Sequence, residues 1–340
     1  MFSQKKSSVS TNHLLPEVVP PYLKKIISQT GGSSGPIGLQ FISQTQKEKE
    51  LSDNTCDPLE EDKHQVLPGL VYKYRGHINH FGQVTRFGRV LWTITFSCAA
   101  YCRFCTRGRE VGQNPNLFSD KQIDNVLNFL KQHKEINEVI ISGGDPLITP
   151  QKYLTKIIQG LSQLQRDSHI DIIRLGTRVP ISNPILIQDW HFALIKQLKN
   201  PYLMVHINHP SELTSESLNI LSKFKSAGAT ILSQTVLLKG VNDSAKTLTN
   251  LYNLMVKEGI RPYYLYQNDP VPWAKHFTVS LPRAIKIWNK LRPNLSGLAA
   301  TARFVIDTPN GYGKVSLPEG AAWKTDFSSF KDFKGKKHLL

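Results

Sequence analysis

From Arg89 onward the chain alternates short β-branched runs with stretches whose apolar side chains recur every three or four positions. Residues 90–96 (Val-Leu-Trp-Thr-Ile-Thr-Phe) read as a buried strand. Ser119 opens a helix as a capping box with Gln122, and Ile123, Val126, Leu127 and Leu130 fall on one face. Residues 138–141 make a second strand, and Leu154, Ile157, Ile158, Leu161 and Leu164 mark the next helix. Further strands are expected over 171–175, 202–207, 230–238, 262–266 and 303–306. Helices fit between them, including 215–227, ended by Gly228 as a C-cap, and 245–258.

Strands alternating with helices at this spacing imply βαβ units and a parallel sheet, an α/β fold. Six or seven such units suit a barrel, complete or partial. In that architecture chemistry sits at the C-terminal ends of the strands and in the loops that follow them. Residues 1–70 differ: they are rich in Ser, Lys, Glu and Gln, with a short helix expected over 22–28. Gly31-Gly-Ser-Ser-Gly35 reads as a flexible hinge. The resulting division is an extension over 1–75, a barrel over 76–297 and a C-terminal segment over 298–340.

Composition narrows the class. With 340 residues, 40% of them hydrophobic and 20% charged, the chain is neither wholly disordered nor collagen-like. No apolar run reaches the roughly 18–20 residues needed to cross a bilayer, and no secretory signal is evident, so a cytoplasmic protein is expected. The formal net charge of +16 suits nucleic acid, anionic phosphates or an acidic partner, but also simple solubility. Its one dense late cluster, Lys334, Lys336 and Lys337, reads as a solvated tail.

Three of the four cysteines, Cys98, Cys102 and Cys105, follow the first barrel strand with the spacing C-x3-C-x2-C, whereas Cys56 lies in a polar segment far upstream. Three local thiolates suit an iron–sulfur cluster with one iron left open for a ligand. A zinc site or structural thiols remain the rival reading. Ile141-Ser142-Gly143-Gly144-Asp145-Pro146 ends the second strand. Glycines there let backbone approach a ligand, and the Asp can face an ammonium; taken alone, the run is a turn.

Together the cysteine loop and the glycine run resemble the radical S-adenosylmethionine (SAM) enzymes. From Asp57-Pro-Leu-Glu-Glu61 to Lys314 the chain further resembles the lysine 2,3-aminomutase family of that superfamily. Matching stretches include Cys102-Arg-Phe-Cys-Thr-Arg107, Gly176-Thr-Arg178, His206-Ile-Asn-His209, Ser233-Gln234, Tyr263-Tyr-Leu-Tyr266 and Val305-Ile-Asp307-Thr-Pro-Asn-Gly311. The resemblance implies a radical SAM partial (βα)6 barrel with an N-terminal extension and a short C-terminal segment. It implies a [4Fe–4S] cluster on the three cysteines, SAM, and pyridoxal 5′-phosphate (PLP) on Lys314 of Gly311-Tyr-Gly313-Lys314. The expected SAM contacts are Ser142, Gly143, Gly144, Asp145, His206 and Gln234, with Arg89 beside PLP.

The same resemblance gives Arg107 the substrate carboxylate, a task suited to a planar guanidinium, and gives Asp269 and Asp307 a distal ammonium. The implied reaction moves an amino group between C2 and C3 of L-lysine. The expected partners are that amino acid and an electron donor such as flavodoxin or ferredoxin. A homo-oligomer is left open, a membrane is not expected, and nucleic acid is disfavoured. The β-lysine-forming enzyme of elongation factor P modification, a mutase for another basic amino acid such as arginine, and a radical SAM RNA-modifying enzyme stay open. The chain departs from the family pattern in several places. No cysteine follows Cys105 to supply the zinc set of longer members, and Phe104 replaces a frequent His. Pro270-Val-Pro272-Trp273 is bulkier than usual, and residues 75–88 look like an inserted solvated loop whose His77 and His80 are weak metal candidates.

Overall fold

The computed structural model describes residues 15–49, 56–112, 119–167, 169–309, 313–317, 322–323, 329–331 and 336–339. Gly311 and Lys334 lie outside them. In chain order come β1 (Gln65–Leu67), β2 (Leu70–Tyr74), a hairpin of β3 (His77–Ile78) and β4 (Val84–Arg86), then β5 (Gly88–Thr93), β6 (Ile136–Ser142) and β7 (Ile172–Thr177). They are followed by β8 (Tyr202–His206), β9 (Thr230–Leu237), β10 (Arg261–Gln267), β11 (Arg303–Asp307) and β12 (Lys314–Ser316). Strands β5 to β11 pair in sequence order and in parallel, while β1–β2 and β12 add antiparallel edges to the same sheet.

Among the described residues no ladder joins the two edges, so the barrel is partial. It nevertheless rolls far enough for Lys73 on β2 to donate to the Thr308 carbonyl just past β11, at 2.6 Å. The sheet also runs past both expected boundaries, since β2 lies before residue 76 and β11 after residue 297.

The helices obey the apolar pattern. Ser119 and Gln122 form the capping box of the Asp120–Gln132 helix, and Ile123, Val126 and Leu130 are buried against the sheet. All five apolar positions expected in the Gln151–Asp167 helix are buried. The Ser215–Ser226 helix ends at Gly228, whose φ of +94° lets Ala229 N–H return to the Phe224 carbonyl.

Two expectations are corrected. The glycine run 31–35 is an ordered turn: Gly31 and Gly32 have φ of +97° and +65°, and a Cβ on Gly35 would lie 1.8 Å from the Thr30 carbonyl oxygen. Glycine serves there for close packing. The turn folds the Pro21–Gln29 helix onto Gly38–Phe41, so Leu23, Ile26, Ile27, Ile37 and Phe41 pack together with Ala100 of the cysteine loop. Residues 75–88 form the β3–β4 hairpin, with Phe81 and Phe87 exposed, because Asn79 and Gly82 supply a tight turn.

Removing the Ser119 hydroxyl leaves an N-terminal amide of the helix without its cap, so Ser119→Ala is expected to cost about 1 kcal/mol. Urea unfolding should show that loss as a lower midpoint with an unchanged slope.

Candidate active site

A cavity of about 550 Å³ runs up the inside of the rolled sheet to the C-terminal ends of the strands, and every candidate residue named above, from Arg89 to Lys314, lines it. Parallel strands deliver this convergence, because their ends all point the same way. Arg89 is placed within β5 and not ahead of it, with its guanidinium stacked 4.0 Å over the Tyr74 ring.

The cysteine loop is anchored from the N-terminal segment. Arg103 is fully buried; it forms a bidentate pair with Glu48 and donates to the Leu15 carbonyl at 2.9 Å. Its own N–H donates to the Gln40 carbonyl. Cys102 Sγ receives Arg178 Nη1 at 2.8 Å, and that guanidinium stacks against Phe41 and Phe104 while pairing with Glu212. Phe104 fills the space beside His206 and Phe277, and Trp273 donates its indole N–H to the Cys105 carbonyl at 3.0 Å.

Burial, then the charges of Cys105, Asp145 and Cys102, push the Cys98 thiol well up; burial and Cys102 push Cys105 up to about 12. Crowded thiols of which Cys98 and Cys105 resist ionisation suit a strongly cationic centre, which would hold them as thiolates. Among the described residues no three Cys, His, Asp or Glu side chains are grouped to hold a single metal ion. Three cysteines within one short loop fit an iron–sulfur cluster, in which each thiolate would take a different iron.

The glycine run is built for contact with that loop. Gly143 has φ of +125°, and a Cβ on Gly144 would fall 2.0 Å from the Ser97 carbonyl oxygen. The Gly144 and Asp145 N–H groups donate to the Thr95 and Ser97 carbonyls at 2.6 and 2.8 Å. Asp145 does not face an open ammonium seat. Its carboxylate accepts from Thr177 Oγ1 and from the Leu147, Arg178 and Val179 amides at 2.6–3.1 Å. Burial still pushes its carboxyl up to about 6. It therefore positions the β7 exit, and with it Arg178.

His206 Nε2 and Arg178 Nε are buried in the wall without a protein partner. Burial, aided by the Arg178 charge, lowers His206 to about 3, which keeps the imidazole neutral. Unspent polar atoms beside an apolar lining fit a bound nucleoside and amino-acid ligand such as SAM.

Elsewhere in the cavity Lys314 Nζ lies 2.7 Å from both Asp307 oxygens, and Asp269 accepts from Thr106 Oγ1 at 2.7 Å. Burial, then the Asp307 charge, push Asp269 up to about 6. Lys73, Arg89 and Arg174 line the same space, and Arg174 Nε is buried without a partner, so an organic phosphate meets cations there. Arg107 is not free: its Nε and Nη2 donate to both oxygens of Glu61, at 2.7 and 2.6 Å. Glu61, Lys73, Arg174 and Arg178 have no role legible from spacing, because each meets its partner from a distant part of the chain. His77 contacts Thr85, and His80 packs tilted against Phe81.

Gly144→Ala must displace the Ser97 backbone beside Cys98. We expect less than half the wild-type iron per chain after anaerobic reconstitution, with far-ultraviolet circular dichroism close to wild type. Full iron loading would show that the loop tolerates the shift.

A Radical SAM superfamily model matches residues 92–251. L-lysine 2,3-aminomutase of Methanococcus maripaludis is 31% identical over 324 residues, covering 95% of this chain and 71% of that protein. The enzyme of the same name from Fusobacterium nucleatum is 33% identical, covering 91% and 69%. Glutamate 2,3-aminomutase of Clostridioides difficile is 31% identical, covering 93% and 74%. Among solved structures, Streptococcus suis SuiB bound to S-adenosylmethionine is 14% identical, with a TM-score of 0.48 over 66% of this chain and 51% of that one. Similarity that extends over most of these aminomutases, and reaches well beyond the segment common to all radical SAM proteins, leaves one conclusion: the chain belongs to the lysine 2,3-aminomutase family of radical SAM enzymes.

Proposed function

We propose that this radical SAM aminomutase is PLP-dependent and interconverts L-lysine and β-lysine. The observation that carries the reading is the pair of acids, Asp269 and Asp307, in one cavity with Arg107. An α-amino acid with a cationic tail presents complementary charges to that set. Glutamate would bring a second carboxylate towards two half-buried acids, and like charges repel at short range where water is partly excluded. Relatives of both kinds match this chain at 31–33% identity, so the charges, more than the overall similarity, favour lysine.

When bound, the cluster and SAM supply a carbon radical able to remove a hydrogen atom, and PLP supplies the aldehyde that carries the migrating nitrogen. Cys98, Cys102 and Cys105 would hold three irons and leave the fourth to SAM. Arg89, Arg174 and Lys73 would take the PLP phosphate. Lys314 would hold the aldehyde, and Asp307 at 2.7 Å is positioned to accept the proton its ammonium must lose first. Phe104 and Val236 wall the space with apolar surface, backed by Trp273 in the same cluster, which keeps water from a radical centre. Among the described residues no helix is long and apolar enough to cross a membrane. The partners we infer are the amino acid and a one-electron donor such as flavodoxin or ferredoxin.

The test is an anaerobic assay of reconstituted protein with SAM, PLP, reductant and L-lysine, scored by mass spectrometry against authentic β-lysine. Product is expected with the wild type and lost in both Lys314→Ala and Cys102→Ala. Deoxyadenosine without β-lysine would discard lysine as substrate, and the same assay with L-arginine would then be informative.

Asp269 must be ionised to attract the lysine ammonium. Its carboxyl is raised to about 6, so the charged fraction falls as pH drops through 6. KM for lysine is therefore expected to rise below pH 6 and level off above it. Asp269→Asn should raise KM roughly tenfold or more at neutral pH, since tenfold corresponds to about 1.4 kcal/mol, and should flatten that profile.

A further inference from the structure

Arginine has two edges that can grip a carboxylate: the side edge of Nε and Nη2, and the end edge of Nη1 and Nη2. Arg107 gives its side edge to Glu61, with both bonds short. That leaves the end edge, where Nη1 makes a long 3.4 Å contact to Ser142 Oγ on the cavity wall. A pair made in this way fixes the guanidinium plane without using up its capacity for a second anion.

The rest of the segment is built to deliver Glu61. Arg109 holds Asp57 and Asp62, at 3.5 and 2.7 Å, on either side of it. Lys73 Nζ donates to the Leu59 carbonyl at 3.1 Å. Glu60 adopts φ of +52°, a left-handed backbone that glutamate seldom accepts. Burial alone would raise the Glu61 carboxyl, but Arg107, then Arg109 and Lys73, outweigh it and hold it below the usual range, so it is an anion at neutral pH.

We propose that Glu61 is a positioning residue for substrate: it takes the side edge of Arg107 and thereby presets the end edge as the seat for an α-carboxylate. The proposal rests on the reading of an α-amino acid as substrate and deepens it. It assigns carboxylate recognition to a fixed pair drawn from two segments, 46 positions apart, instead of to a single mobile arginine. An acid beside an arginine would ordinarily compete with an incoming carboxylate. Here the two anions use different edges, so removing Glu61 is predicted to weaken binding and not to strengthen it.

The experiment measures equilibrium binding of L-lysine and of 1,5-diaminopentane, which lacks the carboxylate, to anaerobic holoenzyme without reductant, so that no turnover occurs. In the wild type L-lysine should bind more tightly than the diamine, and Arg107→Met should abolish that preference. Glu61→Ala should weaken L-lysine roughly tenfold or more and leave the diamine within about twofold. The isosteric Glu61→Gln keeps one acceptor on the fork and should fall between them; it serves as the measurement if Glu61→Ala fails to fold or to load its cofactors. Tighter or unchanged L-lysine binding in these variants would overturn the proposal, as would equal losses for both ligands, which would mark a general loosening of the site. A wild type that binds neither ligand would instead refute the lysine reading itself.

Discussion

The cavity depends on a sheet that rolls without closing, and the Lys73 ammonium spans the gap. Its hydrogen bonds to the Leu59 and Thr308 carbonyls tie together the acidic segment before the sheet, β2, and the turn after β11. A hydrogen-bonded ladder across the same seam would have pulled the strands into a closed barrel with an interior filled by side chains. A side-chain bridge holds the edges apart instead. Into that space project residues from strands β5 to β11, and the loop carrying Lys314 returns as an antiparallel edge beside Asp307.

Within that frame the buried charges serve geometry. Fully burying an ion pair gains little or nothing over an apolar core, because desolvation offsets the attraction. This protein nonetheless buries Arg103 with Glu48 and Arg178 with Glu212 directly behind the cysteine loop. Their forks reach across sequence distances of 55 and 34 positions and admit few orientations, so they fix the loop where apolar packing would let it slide. Asp145 belongs to the same scaffold, since its oxygens hold the amides of Arg178 and Val179 and so aim the guanidinium at Cys102.

How much of this was legible depends on range along the chain. The cysteine loop and the glycine run could be read because ligands and spacing are local, and the helices because their apolar period is local too. The first barrel strand covers Gly88–Thr93 and not 90–96, since its ends are set by pairing with β2 and β6, which spacing does not reveal. Glycines at 31–35 have two physical uses, freedom and close approach, and only the Thr30 contact tells them apart. Asp145 has the right residue type for an ammonium, but all of its donors except the Leu147 amide arrive from Thr177–Val179, at and just past the end of β7. Glu61 was invisible for the same reason: an acid in an acidic, polar run shows no partner until the fold brings Arg107 beside it.

Charge pairing across the cavity then isolates what is left for ligands. Arg107 is matched by Glu61, Lys314 by Asp307, Arg174 by Glu138 and Arg178 by Glu212. Among the described contacts, Asp269 has the Thr106 hydroxyl for a partner and no cation, and Arg89 has the Tyr74 ring and no acid. A charge drawn partly out of water without an opposite one, as at half-buried Asp269 and Arg89, is favoured by a ligand that supplies it. Among the same contacts Lys73 also lacks an acid, donating to two carbonyls, whereas the Asp145 carboxylate is filled by a hydroxyl and three amides. What is left is a seat for a cation at Asp269 and a seat for an anion at Arg89 and Lys73, besides the end edge of Arg107. On the proposed function, a substrate ammonium, a cofactor phosphate and a substrate carboxylate would fill those three places.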